Sequence, residues 1–436
     1  MQLLIPPVSV VESFLARSGA GDAADSRLTT HCMLVPCEKG TLLYHTLTGA
    51  LVLLEGDETP DSEKTALARL HFYVANFFDE NRYARQLQQM LALAQSAGAP
   101  VTSYTIFTTT DCNARCFYCY EKGIRRFTMT EATATDVAAY IIRSCGERKV
   151  TLNWFGGEPL LNKRAIALIC RRLSEAGVAY KSTIITNGYL FDQVTVAEAR
   201  QLWRLKSAHI TLDGTREVYL RTKAYVNGDS AAFERVLDNI DNLLEHQIAV
   251  QVRLNLNRDN DGDILRLCEE LGARFAGKRG FSAAVVLLRQ YEGDARLFPS
   301  QELAVSRLLA VRERLQSLGM LFVAPLETKF RCFACIADSD NAMAVYPDGT
   351  LGKCEHFSES EIIGSIYDDK RDGKRVRSWK KRKADTPLCS DCPLYPQCFR
   401  LEKCPNLHND CTELIRQLRI RNMTERILKT YREKTE

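Results

Sequence analysis

The chain has 436 residues, 45% of them apolar and 26% charged, and a formal net charge of +4. That length exceeds one small core and predicts two or three domains, while the near balance of charge excludes a global pull toward nucleic acid or an anionic membrane. No apolar run is long enough to span a bilayer, and sixteen cysteines without an export signal argue against a disulfide framework and for metal-holding thiols in a reducing cytoplasm.

Residues 1–100 read as a preface. TTHCMLVPCEKGTLLYHTLTGALVLLEGD alternates apolar and polar residues, with turn signals at Glu38-Lys39-Gly40 and Thr48-Gly49, and predicts two or three short strands. SEKTALARLHFYVANFFDENRYARQLQQMLALAQSAG then carries helix-spaced apolar residues, broken near Phe78-Asp79-Glu80. Cys32 and Cys37 lie on neighbouring strand positions and read as core residues.

Residues 101–324 read as one domain, in which strand and helix patterns alternate from about 101 to 290. Strands are predicted at 103–109, 149–155, 180–186, 208–213, 250–257 and 282–288, and helices at 131–145, 163–176, 196–206, 231–246 and 264–271. Such β–α alternation predicts a parallel sheet with its functional loops at the C-terminal strand ends. Cys145, Cys170 and Cys268 fall within helices, remote from other cysteines, and read as core.

The first strand runs into TTTDCNARCFYCY, which spaces Cys112, Cys116 and Cys119 as C-x3-C-x2-C. Three thiols on one loop suit zinc or an iron–sulfur cluster, and three rather than four leave one metal position unfilled by protein. The second strand ends in Gly156, Gly157, Glu158 and Pro159. Two glycines permit close backbone approach, and Glu158 can accept from an ammonium group. The third ends in Thr186, Asn187 and Gly188, which also reads as a turn. The fourth ends in Asp213 and Gly214, where Asp213 is a candidate base facing the cavity, and Arg221 follows. On the fifth, Arg253, Asn255 and Asn257 alternate with Val252, Leu254 and Leu256, so one face lines a wet cavity.

Residues 325–436 are rich in cysteine again: Cys332, Cys335, Cys354, Cys389, Cys392, Cys398, Cys404 and Cys411. Pro and Gly around them make a poor apolar core, so metal must supply the cross-links. The stretch 368–385 is a basic run read as a solvated loop, and 413–436 reads as a terminal helix.

The cysteine loop with Tyr118 before its third Cys, followed by GGEP, resembles the signature of radical S-adenosylmethionine (radical SAM) enzymes. The later cysteines resemble the SPASM extension of that family, with G-x4-C at Gly349–Cys354 and C-x2-C-x5-C at Cys389–Cys398; the next step, to Cys404, is two residues longer than the usual C-x3-C. The resemblance implies an α/β fold: a partial (β/α)6 TIM-like barrel with an N-terminal α+β preface and a Cys-rich iron–sulfur extension. It implies a [4Fe–4S] cluster on Cys112, Cys116 and Cys119, with S-adenosyl-L-methionine (SAM) on the fourth iron and cleaved to a 5′-deoxyadenosyl radical. Tyr118, Gly156, Gly157, Glu158, Pro159, Asn187 and Arg221 would bind SAM. Two auxiliary clusters are implied, one on Cys332, Cys335, Cys354 and Cys404, the other on Cys389, Cys392, Cys398 and Cys411.

The implied function is oxidoreductase maturation of a ribosomally made precursor peptide (RiPP), giving a thioether or carbon–carbon cross-link, with an electron donor such as flavodoxin or ferredoxin. The preface looks like the peptide-associated region of such enzymes. Two alternatives stand beside this reading. One is a formylglycine-generating enzyme like the anaerobic sulfatase maturases, with Asp213 as base. The other is a zinc-ribbon-like binding module built on the late cysteines and the basic loop.

Overall fold

The computed structural model describes residues 1–9, 11–12, 15, 25–56, 58, 60–96, 100–288, 298–326, 330, 332–333, 335–356, 359–398, 400–404 and 411–435. The chain divides into two compact units. One comprises Met1–Ala97, Val323–Cys335 and Lys381–Glu436, and the other Gly98–Phe322 and Ile336–Lys380.

In the first unit, strands β1 (Gln2–Ile5), β3 (Cys32–Cys37), β4 (Gly40–His45) and β5 (Leu51–Glu55) form an antiparallel sheet ordered β1-β5-β4-β3. A separate two-stranded ribbon pairs β2 (Ser26–Leu28) with β6 (Tyr73–Ala75). Period-two alternation gives the main sheet two apolar faces. Leu42, Tyr44, Leu51 and Leu53 pack with Ile427 and Tyr431 near the C-terminus. Leu43, Val52 and Leu54 pack with Leu67, Phe72 and Tyr73. The stretch predicted as helix, 62–98, is in fact helix α1 (Lys64–Arg69), strand β6 and helix α2 (Glu80–Ser96); residues 97 and 98 lie outside the described residues. A helix-period pattern missed β6 because Tyr73, Val74 and Ala75 are all buried, so no alternation marks them.

This unit buries three histidines. His45, 2% exposed, accepts at Nδ1 from the Leu47 and Thr48 N–H groups, so its Nε2–H donates to the His71 carbonyl. Burial, with His31 and His71 nearby, pushes His45 down to about 3. Burial also pushes His31 down to about 4, against the pull of Glu80 and with Arg27 assisting. Both rings are therefore neutral when folded, while the unfolded chain protonates them below about 6.5. Stability is full above that pH and falls as pH drops toward the folded values. Between pH 6.5 and 5, proton uptake on unfolding should rise from about one to about two, a loss of roughly 3 kcal/mol. Urea midpoints measured across that window check this, and a flat profile would mean that the rings are not held neutral.

The second unit is a partial barrel. Six parallel strands run in sheet order as they run in sequence: β7 (Ser103–Thr109), β8 (Val150–Gly156), β9 (Tyr180–Thr186), β10 (Leu205–Leu212), β11 (Ala249–Leu256) and β12 (Phe281–Leu287). Helices alternate with them: α3 (Glu131–Cys145), α4 (Lys163–Glu175), α5 (Gln193–Gln201), α6 (Arg216–Lys223), α7 (Ala232–Glu245), α8 (Asp261–Phe275) and α9 (Gln301–Ser317). The Thr130, Asp192 and Ser300 side chains cap α3, α5 and α9. The Asp192 cap starts α5 three residues before the predicted 196, and the chain leaves the helix in time for Leu205 to open β10, so 196–206 is not one helix. Cys145, Cys170 and Cys268 are 0% exposed within α3, α4 and α8.

Two extensions were not expected. β13 (Ala342–Val345) pairs parallel to β7, and β14 (Thr350–Gly352) and β15 (Gly364–Ser365) continue the sheet antiparallel. The basic run 368–385 contains a helix, α10 (Gly373–Trp379), rather than loop throughout. The Asp372 carboxylate caps it by accepting from the Lys374 and Arg375 N–H groups, and Trp379 is buried at its end. The chain closes with helix α11 (Glu413–Thr435). Among the described residues no helix is long and apolar enough to cross a membrane.

Candidate active site

The cysteine loop leaves β7 at its C-terminal end, beside the C-terminal end of β8. The ladder between them slips between Phe107 and Thr109, so that Thr109 meets Gly156. Gly156 has φ of 124°, and a Cβ there would lie 2.1 Å from the Thr109 carbonyl oxygen. A Cβ on Gly157 would lie 2.3 Å from the Asp111 carbonyl oxygen. The glycine pair thus lets the second strand end approach the start of the cysteine loop more closely than any side chain allows.

Glu158 is fully buried and knits three segments together. Its carboxylate accepts from the Leu160 N–H (3.0 Å), the Thr186 hydroxyl (2.8 Å) and the Asn187 N–H (2.8 Å). Burial pushes it up to about 6, and those three donors pull the other way. Pro159 follows, at the start of a short 3-10 turn (Pro159–Asn162). Asn187 in turn donates from Nδ2 to Asn113 in the cysteine loop at 2.7 Å. Glu158 therefore ties the ends of the second and third strands, and through Asn187 the loop itself.

On the other side the loop is held by the end of α6. The Arg115 N–H donates to the Lys223 carbonyl at 2.8 Å, and the Val226 N–H donates to Asn113 at 2.9 Å. Lys223 Nζ lies 3.0 Å from Asp213, with side chains 3% and 1% exposed. The Tyr118 hydroxyl donates to both Asp213 oxygens at 2.9 Å and receives Lys223 Nζ at 3.2 Å. Asn255 Nδ2 donates to Asp213 at 3.1 Å. Burial alone would lower the Lys223 ammonium, but Asp213, then Tyr118 and Cys116, hold it well above the usual lysine range. It stays charged. As a proton acceptor Asp213 would first have to surrender one of these partners.

Lys223 is the site residue that sequence reasoning missed. Arg221, singled out instead, has an exposed side chain, whereas Lys223 two positions on turns inward. Both lie on α6 two positions apart, so the helix puts them on different faces, but the sequence does not say which face turns inward. On β11, Val252 and Leu254 are fully buried and Arg253 is exposed, but Asn255 and Asn257, expected on the same wet face, are buried as well. Arg253 Nε donates to Asn255 at 3.0 Å and so adjoins the Asp213 network. Asn257 is buried, and its N–H donates to Asn260.

The donor set fits an iron–sulfur cluster. Cys112, Cys116 and Cys119 share one partly buried loop, and Cys112 Sγ accepts from the Ala114 N–H at 3.4 Å and Asn187 Nδ2 at 3.9 Å. N–H groups aimed at sulfur suit thiolates bound to iron. Burial pushes the Cys112 thiol up to about 12, so a cation is what would hold it ionised. Among the described residues no three Cys, His, Asp or Glu side chains are placed to share a single metal ion.

The late cysteines divide between the units. In the first unit Cys389, Cys392, Cys398 and Cys411 line one small cavity with Arg400, Arg416 and Arg419. Cys389 Sγ accepts from the Thr386 N–H at 3.4 Å. Cys332 is buried against Leu47, Leu87 and Phe330, Cys335 is exposed and Cys404 half-buried. Cys354 belongs to the barrel unit, where its Sγ accepts from the His356 N–H at 3.5 Å. The His356 ring lies 4.3 Å from that of Tyr120, next to Cys119.

Comparison with known proteins agrees with this geometry. Residues 106–271 match the family described as Radical SAM superfamily, and this stretch is a radical SAM domain. A probable GTP 3′,8-cyclase of Thermococcus kodakarensis is 29% identical over 187 residues, 42% of this chain and 55% of that one. The chain spans about half the length of the curated relatives it first matches. A solved structure described as native anSMEcpe with bound AdoMet and Cp18Cys peptide aligns with TM-score 0.55 at 13% identity, over 77% of this chain and 99% of that one. Streptococcus suis SuiB bound to S-adenosylmethionine aligns with TM-score 0.52 at 12% identity, over 86% and 94%. At those identities the two structures establish the fold, a mixed α/β partial barrel.

Proposed function

We propose that this chain is a radical SAM/SPASM maturase that takes hydrogen from a ribosomally made precursor peptide and leaves a thioether or carbon–carbon cross-link. The observation that carries it is a three-cysteine loop braced at the mouth of an open parallel barrel, in a chain that gathers four further cysteines around a second cavity. When bound, SAM on a reduced four-iron cluster supplies a 5′-deoxyadenosyl radical, strong enough to take hydrogen from an unactivated carbon.

The residues act by holding and positioning. Cys112, Cys116 and Cys119 hold the cluster, leaving one iron for SAM. Gly156, Gly157, Glu158 and Pro159 shape the turn beside it, and Asn187 stands at the ribose side. Arg221, exposed on α6, is the cation offered to the SAM carboxylate, while Lys223 stays on Asp213 and Tyr118. Asp213 and Tyr118 fix the loop from below, and Asp213 serves as a base only if the peptide displaces a partner. Arg253, exposed on β11, offers hydrogen-bonding groups to a peptide. Residues 1–100 associate with the peptide, 101–324 carry the radical chemistry, and 325–436 carry two auxiliary clusters. The first is on Cys332, Cys335, Cys354 and Cys404; the second is on Cys389, Cys392, Cys398 and Cys411. A small electron-transfer protein such as flavodoxin or ferredoxin delivers the reducing electron.

Anaerobically purified protein should be brown and hold about twelve irons per chain. A reproducible value near four would remove both auxiliary sites, and zinc in colourless protein would favour a binding module. Likeness to the anSMEcpe fold keeps formylglycine formation as the second reading. Incubation with a Cys-containing sulfatase peptide should give no aldehyde mass; its appearance would replace the cross-linking reading.

A further inference from the structure

We infer that Arg400 sets the reduction potential of the cluster held by Cys389, Cys392, Cys398 and Cys411, acting as its buried counter-cation. The inference rests on the proposed auxiliary cluster and adds a residue that no ligand pattern contains.

Three arginines line that cavity, and they are not equivalent. Arg416 is paired with Asp391 at 2.9 Å and Glu413 at 3.0 Å, so its charge is already answered by carboxylates. Arg419 donates to the Cys398 carbonyl at 3.5 Å. Arg400 is the most enclosed, 7% exposed. Its Nη2 donates to the Ala384 carbonyl and lies 4.0 Å from Cys389 Sγ. Among the described residues no carboxylate pairs with it.

A buried guanidinium answered only by a carbonyl and a neutral thiol is costly. Four thiolates on a four-iron core supply the missing negative charge. The cluster carries net negative charge in both oxidation states, and one unit more after it accepts an electron. A fixed cation beside it therefore stabilises the reduced form more than the oxidised form, and raises the potential. The backbone holds Arg400 in place: the Lys383 N–H donates to its carbonyl at 2.8 Å, within the pairing of Arg382 with Leu401.

The test is a dithionite titration of the full-length, cluster-loaded protein, followed by electron paramagnetic resonance. The Cys392→Ala variant identifies the signal that belongs to this site. In Arg400→Gln that signal should move to a more negative midpoint, with iron content unchanged and the other signals in place. Arg400→Lys keeps the charge on a shorter arm, and should fall between wild type and Arg400→Gln; it carries the test alone if the Gln variant does not fold. A midpoint that does not move in either variant overturns the inference. So does loss of about four irons in Arg400→Gln with Arg400→Lys at the wild-type midpoint, because Arg400 would then hold the cluster rather than tune it. If Cys392→Ala removes neither iron nor signal, the proposed auxiliary cluster itself fails, whatever Arg400 does.

Discussion

Cys116→Ala protein, purified and reconstituted without oxygen, is expected to form no 5′-deoxyadenosine above background when given SAM and dithionite. Three thiolates on one loop leave no spare ligand: Asn113 and Tyr118, between and beside the cysteines, are engaged with Asn187 and Asp213. Iron should fall by about four per chain. Cys392→Ala is the matched control. It should lose a similar amount of iron from the cavity of the first unit and still cleave SAM, because its cluster is not the one that binds SAM. Product at the wild-type rate in Cys116→Ala would place the chemistry elsewhere.

Lys223→Met is expected to destabilise the barrel unit strongly. It removes the cation from a pair whose members are 3% and 1% exposed, and leaves the Asp213 carboxylate with only the Tyr118 and Asn255 donors. Breaking such a buried pair costs about 3–5 kcal/mol. The Tyr118 hydroxyl loses a partner as well, so the cysteine loop loosens and SAM turnover should fall with stability. Adding Asp213→Asn to Lys223→Met should recover part of the stability, because the stranded charge is gone, but not the turnover. Anaerobic urea unfolding of the single and double variants reads both effects. An unchanged midpoint in Lys223→Met would mean that the pair is hydrated rather than enclosed.

The six barrel strands were legible because each is a short, largely apolar run followed by a helix, four of those helices with a side-chain cap. Ser103–Thr109 and Tyr180–Thr186 were read to the residue. The cysteine loop and the glycine pair were legible because their chemistry is local. What joins them was not. Lys223 meets Asp213 and Tyr118 only after α6 folds, and nothing in REVYLRTK distinguishes an inward lysine from an outward arginine. Glu158 read as a ligand-facing acceptor, yet its oxygens already hold three donors from two segments. β13 was hidden in four apolar residues whose partner, β7, lies far back in the chain. The basic run concealed α10 because charge masks the one inward residue, Trp379.

The pairing of β13 with β7 fixes an order of events during synthesis. The strand that leads into the cysteine loop has a bare outer edge from the moment it leaves the ribosome, and keeps it until residues 342–345 emerge. The first unit waits longer still, since Met33, Val35 and Leu42 pack against Ile427 and Tyr431 of the helix Glu413–Thr435. The barrel unit is complete once Lys380 is made, while the N-terminal sheet still lacks its covering helix. A truncation before the helix Glu413–Thr435 therefore deprives the N-terminal sheet of its cover while leaving every strand of the barrel in place.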